Sequence, residues 1–489
     1  MTTESTIEGA ESLKRSFTWR SAFSVAFAFI SPIVALYGIF ALTFFAAGPA
    51  AWWAFLIVLI FQILVAVSLG EIASRYPFAG GVYAWARRLG GETYGWFAGW
   101  AYLWTLMIAI GSAAYIAMLF LPVVLGIEPF DSTTQVVAAI VFILVGTGLN
   151  LLGHIGLKIV AVGALVVELI GSVGIGIYLL FFGREQDFSV IFDSYGSGIG
   201  SGPWLWSGLA AAMAFVGWAF VGFESAGDIA EEVEDPHRSV PKAMVVSIVV
   251  VGVVVLFSGL ALILAIPDIE AVLSGESADP VADTIIFHIG EGIVRPLFAM
   301  FVFAFLATFV AAQAAASRVL WSFSRDDVVP ASAWLKKLSG SSRIPARAVI
   351  VTGIVPIFVV LLSLWGAGYS TLVLFAIAGF YIAFAFPLIA LTRERLRGNW
   401  KRGVWNIGSW GTPVTVVATV WVLFELINIS WPRDDTAPWY IQWGVVIMLI
   451  VLGGLGLIVW ASRRDQIRNA EMEIEEDARH EAAESVGDA

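Results

Sequence analysis

The chain contains no cysteine. Disulfides, thiolate catalysis and sulfur-ligated metals are therefore excluded. Histidine is nearly as scarce. His154, His237, His288 and His480 are the only four, and their separations fit no metal-binding spacing. No metal or cofactor is expected. Charge is thin as well, at 13% of residues, against about a quarter in a soluble domain. The net charge of −11 is no signature of nucleic-acid binding. The apolar stretches lack paired aspartates, spaced histidines and a serine–histidine set, so an intramembrane enzyme is not expected. The opening stretch, MTTESTIEGAESLKRSFTWR, lacks the short apolar core of a cleaved signal peptide. The first apolar block is expected to target the membrane itself.

Hydrophobic residues fill the chain instead, at 59% of 489 residues and a mean hydropathy of +0.87. They come in twelve blocks: 21–46, 50–74, 94–122, 133–152, 157–182, 204–231, 241–266, 293–322, 346–365, 370–391, 411–431 and 438–461. Each is about as long as a helix needs to be to cross roughly 30 Å of hydrocarbon. The blocks are too long for barrel strands and do not alternate apolar with polar. An all-α polytopic membrane protein with twelve transmembrane helices is expected, with the lipid bilayer as its surroundings.

Lysine and arginine set the orientation. Of 27, the side reached after odd-numbered blocks holds only Arg184, Arg295 and Arg433. The rest cluster before the first block and after even-numbered ones, as at Arg87, Arg88, Lys158, Lys336, Arg393 and Arg463. The positive-inside rule places both termini in the cytoplasm. Trp52, Trp53, Trp204, Trp206, Trp439 and Trp443 lie near block ends, where aromatic belts form.

Two blocks are interrupted. The first, FSVAFAFISPIVALYGIFALTFFAAGP, carries Ser31-Pro32 and then Gly38. The sixth, LAAAMAFVGWAFVGFESAGDIAEE, carries Gly217, Gly222 and Gly227. Proline removes a backbone donor, and glycine weakens a helix. Either interruption alone reads as a kink or close helix packing. Their places are telling, because the first block opens one set of five and the sixth opens the next. Interruptions at matching places in two halves point to an inverted-repeat transporter with its site at the breaks. The domains are then a tail at 1–20, a first repeat at 21–183 and a second, inverted repeat with its leading outer loop at 184–395. A loop with two further helices follows at 396–462, and an acidic tail at 463–489.

Three segments resemble a known family. WAFVGFESA with AEEVEDPHRSVPKA (Trp218–Ala243), EIASRYPFAGGVYAWARRLGG with YGWFAGWAYLW (Glu71–Trp104), and SRVLWSFSRDDVVP with RIPARAV (Ser317–Val349) resemble the amino acid–polyamine–organocation permeases. Within that superfamily the amino acid/choline branch is the most similar. The likeness covers about residues 20–400. It implies a LeuT-like 5+5 inverted repeat plus two C-terminal helices. It also implies a secondary active transporter importing an amino acid, γ-aminobutyrate or a related amine across the plasma membrane, coupled to protons. An exchanger, a sodium symporter and a non-transporting nutrient sensor stay open as alternatives.

Carried over by position, Trp218 matches a substrate-facing aromatic and Val221 an apolar wall. Gly222 and Phe223 match the unwound turn, and Glu224 the acid after it. Met107 and Gly111 match a pocket wall in span 3. The family's Gly-Ser-Gly turn, which holds a substrate carboxylate, is missing. Counting back from Gly80-Gly81 puts Val34, Ala35 and Leu36 there, just after Ser31 and Pro32. Aligning on GIF would put Leu36, Tyr37 and Gly38 there instead. An amine without a carboxylate therefore stays open as a substrate. Some proton-coupled relatives have a lysine in span 5, whereas this chain has Glu168 fifteen residues after Gly153, with Lys158 earlier.

A carboxylate amid apolar turns is by default a functional candidate, so Glu168 and Glu224 are expected coupling residues. Glu425 and Gln313 read as structural. Glu71, Arg75, Glu231, Glu232, Arg318 and Arg325 lie near the cytoplasmic ends and read as gate or loop contacts. The cysteine-free background makes the topology testable. A cysteine at Ser274 should label from outside intact cells, and one at Ser339 only after permeabilisation. The reverse pattern would overturn the charge argument.

Overall fold

A computed structural model describes residues 17–277, 279–339, 343–365, 369–433 and 437–467. Most of the two expected tails, 1–20 and 463–489, and the Lys158 side chain lie outside the described residues. No strand occurs among the described residues, only isolated bridges at Phe17–Val233 and Ser339–Ile344. Twelve helical runs are long and apolar enough to cross a membrane.

Most spans are single helices: span 2 at Ala51–Arg75, span 3 at Glu92–Leu125, span 4 at Ser132–Leu151, span 7 at Pro236–Ala265 and span 8 at Glu291–Arg325. Spans 9 to 12 follow at Ala346–Leu361, Tyr369–Leu396, Gly411–Ser430 and Gly444–Ser462. Span 1 comes in pieces, Trp19–Ile30, Pro32–Tyr37 and Phe40–Ala47. Span 6 opens with a π-helical turn at Leu205–Ala210, continues as Ala211–Val216 and Gly217–Phe220, and resumes at Ser225–Asp228. Span 5 is helical throughout but passes through a π-helical turn, Leu169–Gly174, between His154–Glu168 and Ile175–Phe182.

Packing follows a two-fold exchange of each span with the one five places later. Span 2 packs on span 7, span 3 on span 8 and span 4 on span 9, each a pair of counterparts. Span 3 on span 10 is matched by span 8 on span 5. Five spans is an odd number, so the second set must begin on the opposite side of the membrane. Repeats related in this way are inverted. Span 11 packs on spans 2 and 10, while span 12 is largely exposed at the periphery.

Two short helices were not expected. Gly81–Gly90 connects spans 2 and 3, and Pro280–Ile289 precedes span 8. At ten residues each, they are too short to cross and read as loop by length alone. Asp279 caps the second, accepting from Val281 N and Ala282 N at 3.1 Å each.

The end of the bundle rich in basic residues carries a set of ion pairs. Glu232 pairs with Arg318 at 2.9 Å with both side chains buried, and Glu231 with Arg325 at 3.1 Å. Arg87 bridges Glu92 and Asp326 at 2.5 Å each, and Arg395 pairs with Glu71. Arg75 instead donates to the Tyr76 hydroxyl at 3.2 Å. Phe17 pairs with the strand-like stretch after span 6 through Phe17 N to Glu232 O (2.9 Å) and Glu234 N to Phe17 O (2.8 Å). At the opposite end lies a cavity of about 1010 Å3, counting its open mouth. Its walls include Leu42, Phe45, Phe215, Ser370 and Arg433. Burial pulls the Arg433 guanidinium down to about 10, against the opposing charge of Glu425.

Candidate functional site

The break in span 1 centres on Ser31, whose φ of 48° turns the chain out of the helix. Pro32 begins the next piece, where its missing N–H costs nothing. That piece still exposes donors at its N-terminus, and hydrocarbon offers none of the acceptors that water would. Glu168 supplies one from span 5. Its carboxylate accepts from the Ser31 hydroxyl, from Ile33 N at 2.9 Å and from the Ser172 hydroxyl at 3.2 Å. The Ser31 hydroxyl oxygen in turn accepts from Val34 N at 3.2 Å. Tyr37 donates to the Gly171 carbonyl at 3.1 Å, and Ser258 of span 7 to the Ser172 carbonyl at 3.0 Å.

Span 6 opens at Val221 and Gly222, the latter at φ 100°. Here the acceptor is local: Glu224 takes the Gly222 N–H at 2.9 Å. Gln62 of span 2 donates to the Phe220 carbonyl at 3.2 Å, and the Ser225 hydroxyl to the Gly222 carbonyl at 2.6 Å. Tyr102 of span 3 lies between Glu224 Oε1 at 3.2 Å and Asp228 Oδ2 at 2.7 Å. The single phenol hydrogen is thus placed between two carboxyl groups, nearer Asp228 than Glu224.

The two breaks meet. The Trp218 indole donates to the Val34 carbonyl at 3.3 Å, and a small apolar cavity lies beside this contact. Phe29, Ile30, Val34, Ala109, Trp218, Val221, Thr308, Ala312 and Phe380 form its walls. Of the residues singled out from sequence, Val34, Trp218 and Val221 face the cavity. Ser31, Pro32 and Gly222 form the breaks beside it. Leu36 lies against Gly259 of span 7, and Phe223 packs on Phe384 of span 10. Gly111 faces Pro356 and Val359 of span 9. Met107 and Ala35 are buried but are not among the wall residues. Glu168 and Glu224 stand behind the walls, holding the backbone that forms them.

Sequence reasoning missed Phe29, Ile30, Ala109, Thr308, Ala312, Phe380 and Tyr102. Phe29 and Ile30 could have been flagged as the residues just before Ser31. The others carry no local signal. The two polar residues read as structural have these partners. Gln313 ties spans 4, 8 and 9 through Asn150, Thr147 and Val349. Glu425 accepts from Asn428, which also donates to Ala210 at the start of span 6.

The family model described as "Amino acid permease" matches residues 17–456. An uncharacterized amino-acid permease of Schizosaccharomyces pombe is 25% identical over 90% of this chain and 81% of its own length. The choline transporter of Saccharomyces cerevisiae is 25% identical over 87% of this chain and 77% of its own. A putative polyamine transporter of Candida albicans is 25% identical over 93% and 86%.

A Cβ at Gly222 would lie 2.8 Å from the Phe29 ring, at a φ that side chains rarely adopt. Gly222→Val should therefore lower stability by about 1–3 kcal/mol and slow transport. Thermal unfolding and turnover check this together, and wild-type values for both would remove the break from the mechanism.

Proposed function

The chain belongs to the amino acid permease family, and on that premise we propose that it is a secondary active transporter. It imports an amino acid, γ-aminobutyrate or a related amine across the plasma membrane, driven by protons. The observation that carries this reading is the meeting of two broken spans at one cavity, joined across the gap by Trp218 and Val34. Broken helices at a repeat interface are where transporters of this architecture place their site, and alternating access then rocks one repeat against the other around it.

The basic end is read as cytoplasmic, with both termini on that side. Its ion pairs and the Phe17 bridge then form the inner gate, closed here, while the cavity near Arg433 lies on the outer side. Import would proceed by exchanging these closures around a fixed central site.

Coupling is assigned to Glu168 and Glu224. Ionised Glu168 accepts three hydrogen bonds and pins the second piece of span 1. A proton on it would take up acceptor capacity and loosen that hold, so protonation biases the span between two positions. Such a bias is what coupling requires. Glu224, with Tyr102 and Asp228, offers a second place for a proton next to the span 6 break.

An uptake screen in proteoliposomes over amino acids, γ-aminobutyrate, amines and choline, with and without a proton gradient, tests the reading. Gradient-dependent accumulation of at least one compound is expected. Absence of both net and exchange flux for all of them would favour a sensor instead. Trp218→Ala should weaken apparent affinity strongly while leaving expression intact. Unchanged affinity would move the site.

Glu168→Gln keeps the shape but cannot titrate. Exchange should persist, while proton-driven accumulation falls to the equilibrium level. Concentrative uptake with wild-type pH dependence would make Glu168 purely structural.

A further inference from the structure

A zwitterionic amino acid brings two charges, and its carboxylate needs donors once it leaves water. At a broken helix those donors are the unpaired N–H groups. At the Ser31 break of span 1 the first of these are already taken. Pro32 has no N–H. Ile33 N donates to Glu168 Oε2 at 2.9 Å, Val34 N to the Ser31 hydroxyl at 3.2 Å, and Ala35 N to the Ser31 carbonyl at 2.7 Å. In span 6, Gly222 N is held by Glu224 at 2.9 Å, and Ser225 N by the Gly222 carbonyl at 3.2 Å. At both breaks a carboxylate of the chain itself thus holds one of these N–H groups, that of Ile33 or of Gly222.

The cavity walls offer no substitute. None of the nine wall residues is basic, and their single hydroxyl, on Thr308, already donates to the Ala28 carbonyl at 2.8 Å. The charged side chains bonded to the backbone beside the walls are both acids. Glu168 holds Ile33 next to Val34, and Glu224 holds Gly222 next to Val221. Three walls are aromatic: Phe29, Trp218 and Phe380, with the Phe29 and Phe380 rings edge-to-face at 6.3 Å. Aromatic walls attract an organic cation, and nearby acids strengthen that preference.

We propose that the substrate class is an organic amine cation that carries no carboxylate, seated among Phe29, Trp218 and Phe380. This rests on the transporter reading above and narrows it. The same geometry selects against the parent amino acids, whose carboxylate would be buried among aromatic walls with two acids of the chain behind them.

The test uses four decarboxylation pairs, which differ only in the carboxylate, together with choline and its carboxylate counterpart. Full-length protein is assayed by thermal shift in detergent and by uptake in liposomes. The pairs are putrescine with ornithine, cadaverine with lysine, agmatine with arginine and ethanolamine with serine, with choline set against glycine betaine. At least one amine should stabilise the protein and be taken up, with its carboxylated partner weaker by about tenfold or more. Dimethylbutanol, the uncharged isostere of choline, should give no shift. Phe380→Leu should weaken binding of the active amine. An amino acid bound as tightly as its decarboxylated partner would overturn the proposal while leaving the transporter reading intact. A shift with dimethylbutanol equal to that with choline, or unchanged affinity in Phe380→Leu, would overturn the aromatic cation seat. Response to no member of any pair, in either assay, would overturn both readings.

Discussion

The structure depends on one constraint: a helix opened inside hydrocarbon must find partners for the backbone groups it frees. Span 1 meets it with a carboxylate borrowed from span 5. Glu168 accepts from Ile33 N and from the hydroxyls of Ser31 and Ser172. The surrounding geometry is organised by that contact. Ser31 takes a positive φ so that its hydroxyl can meet both Glu168 and Val34 N. The π-helical turn directly after Glu168 presents the Gly171 and Ser172 carbonyls to Tyr37 and Ser258. Spans 1, 5 and 7 are thereby joined around a single acid.

Span 6 solves the same problem locally. Glu224 lies two residues beyond Gly222 and reaches back to its N–H. This works because glycine alone fits the turn at φ 100° with the Phe29 ring so close. The outside partner is Tyr102 on span 3, which links Glu224 to Asp228. One break is thus tethered to span 5 and the other to span 3. Motion of either broken span must exchange buried polar partners, and such exchanges are discrete rather than gradual.

The closed end follows a different logic. Its charges lie where chain segments meet at the foot of the bundle, and several are buried in pairs, as Arg318 and Glu232 are at 5% and 1% side-chain exposure. Desolvating two charges offsets much of their attraction, so such pairs favour one arrangement more than they add stability. The central cavity has the reverse character, with apolar and aromatic walls and its acids set one layer behind them.

Much of this was legible in the sequence. Length, hydropathy and the matching places of Ser31-Pro32 and Gly222 gave twelve spans and two breaks, because a hydrocarbon slab imposes a fixed span length and proline and glycine act on their own turns. Glu168 stood out because a carboxylate surrounded by apolar residues is conspicuous in one dimension. What lay beyond reach was which face each residue turns inward. Ala109 forms a wall while Met107 and Gly111, two positions either side, do not, since a helix turns its residues about 100° apart. Thr308, Phe380 and Tyr102 come from spans distant in sequence, and no local pattern marks them. The sequence alone determined how many helices cross and where two of them open. Only the tertiary structure decided what fills the openings, because the acceptor for a freed N–H can come from any span that packing brings within about 3 Å.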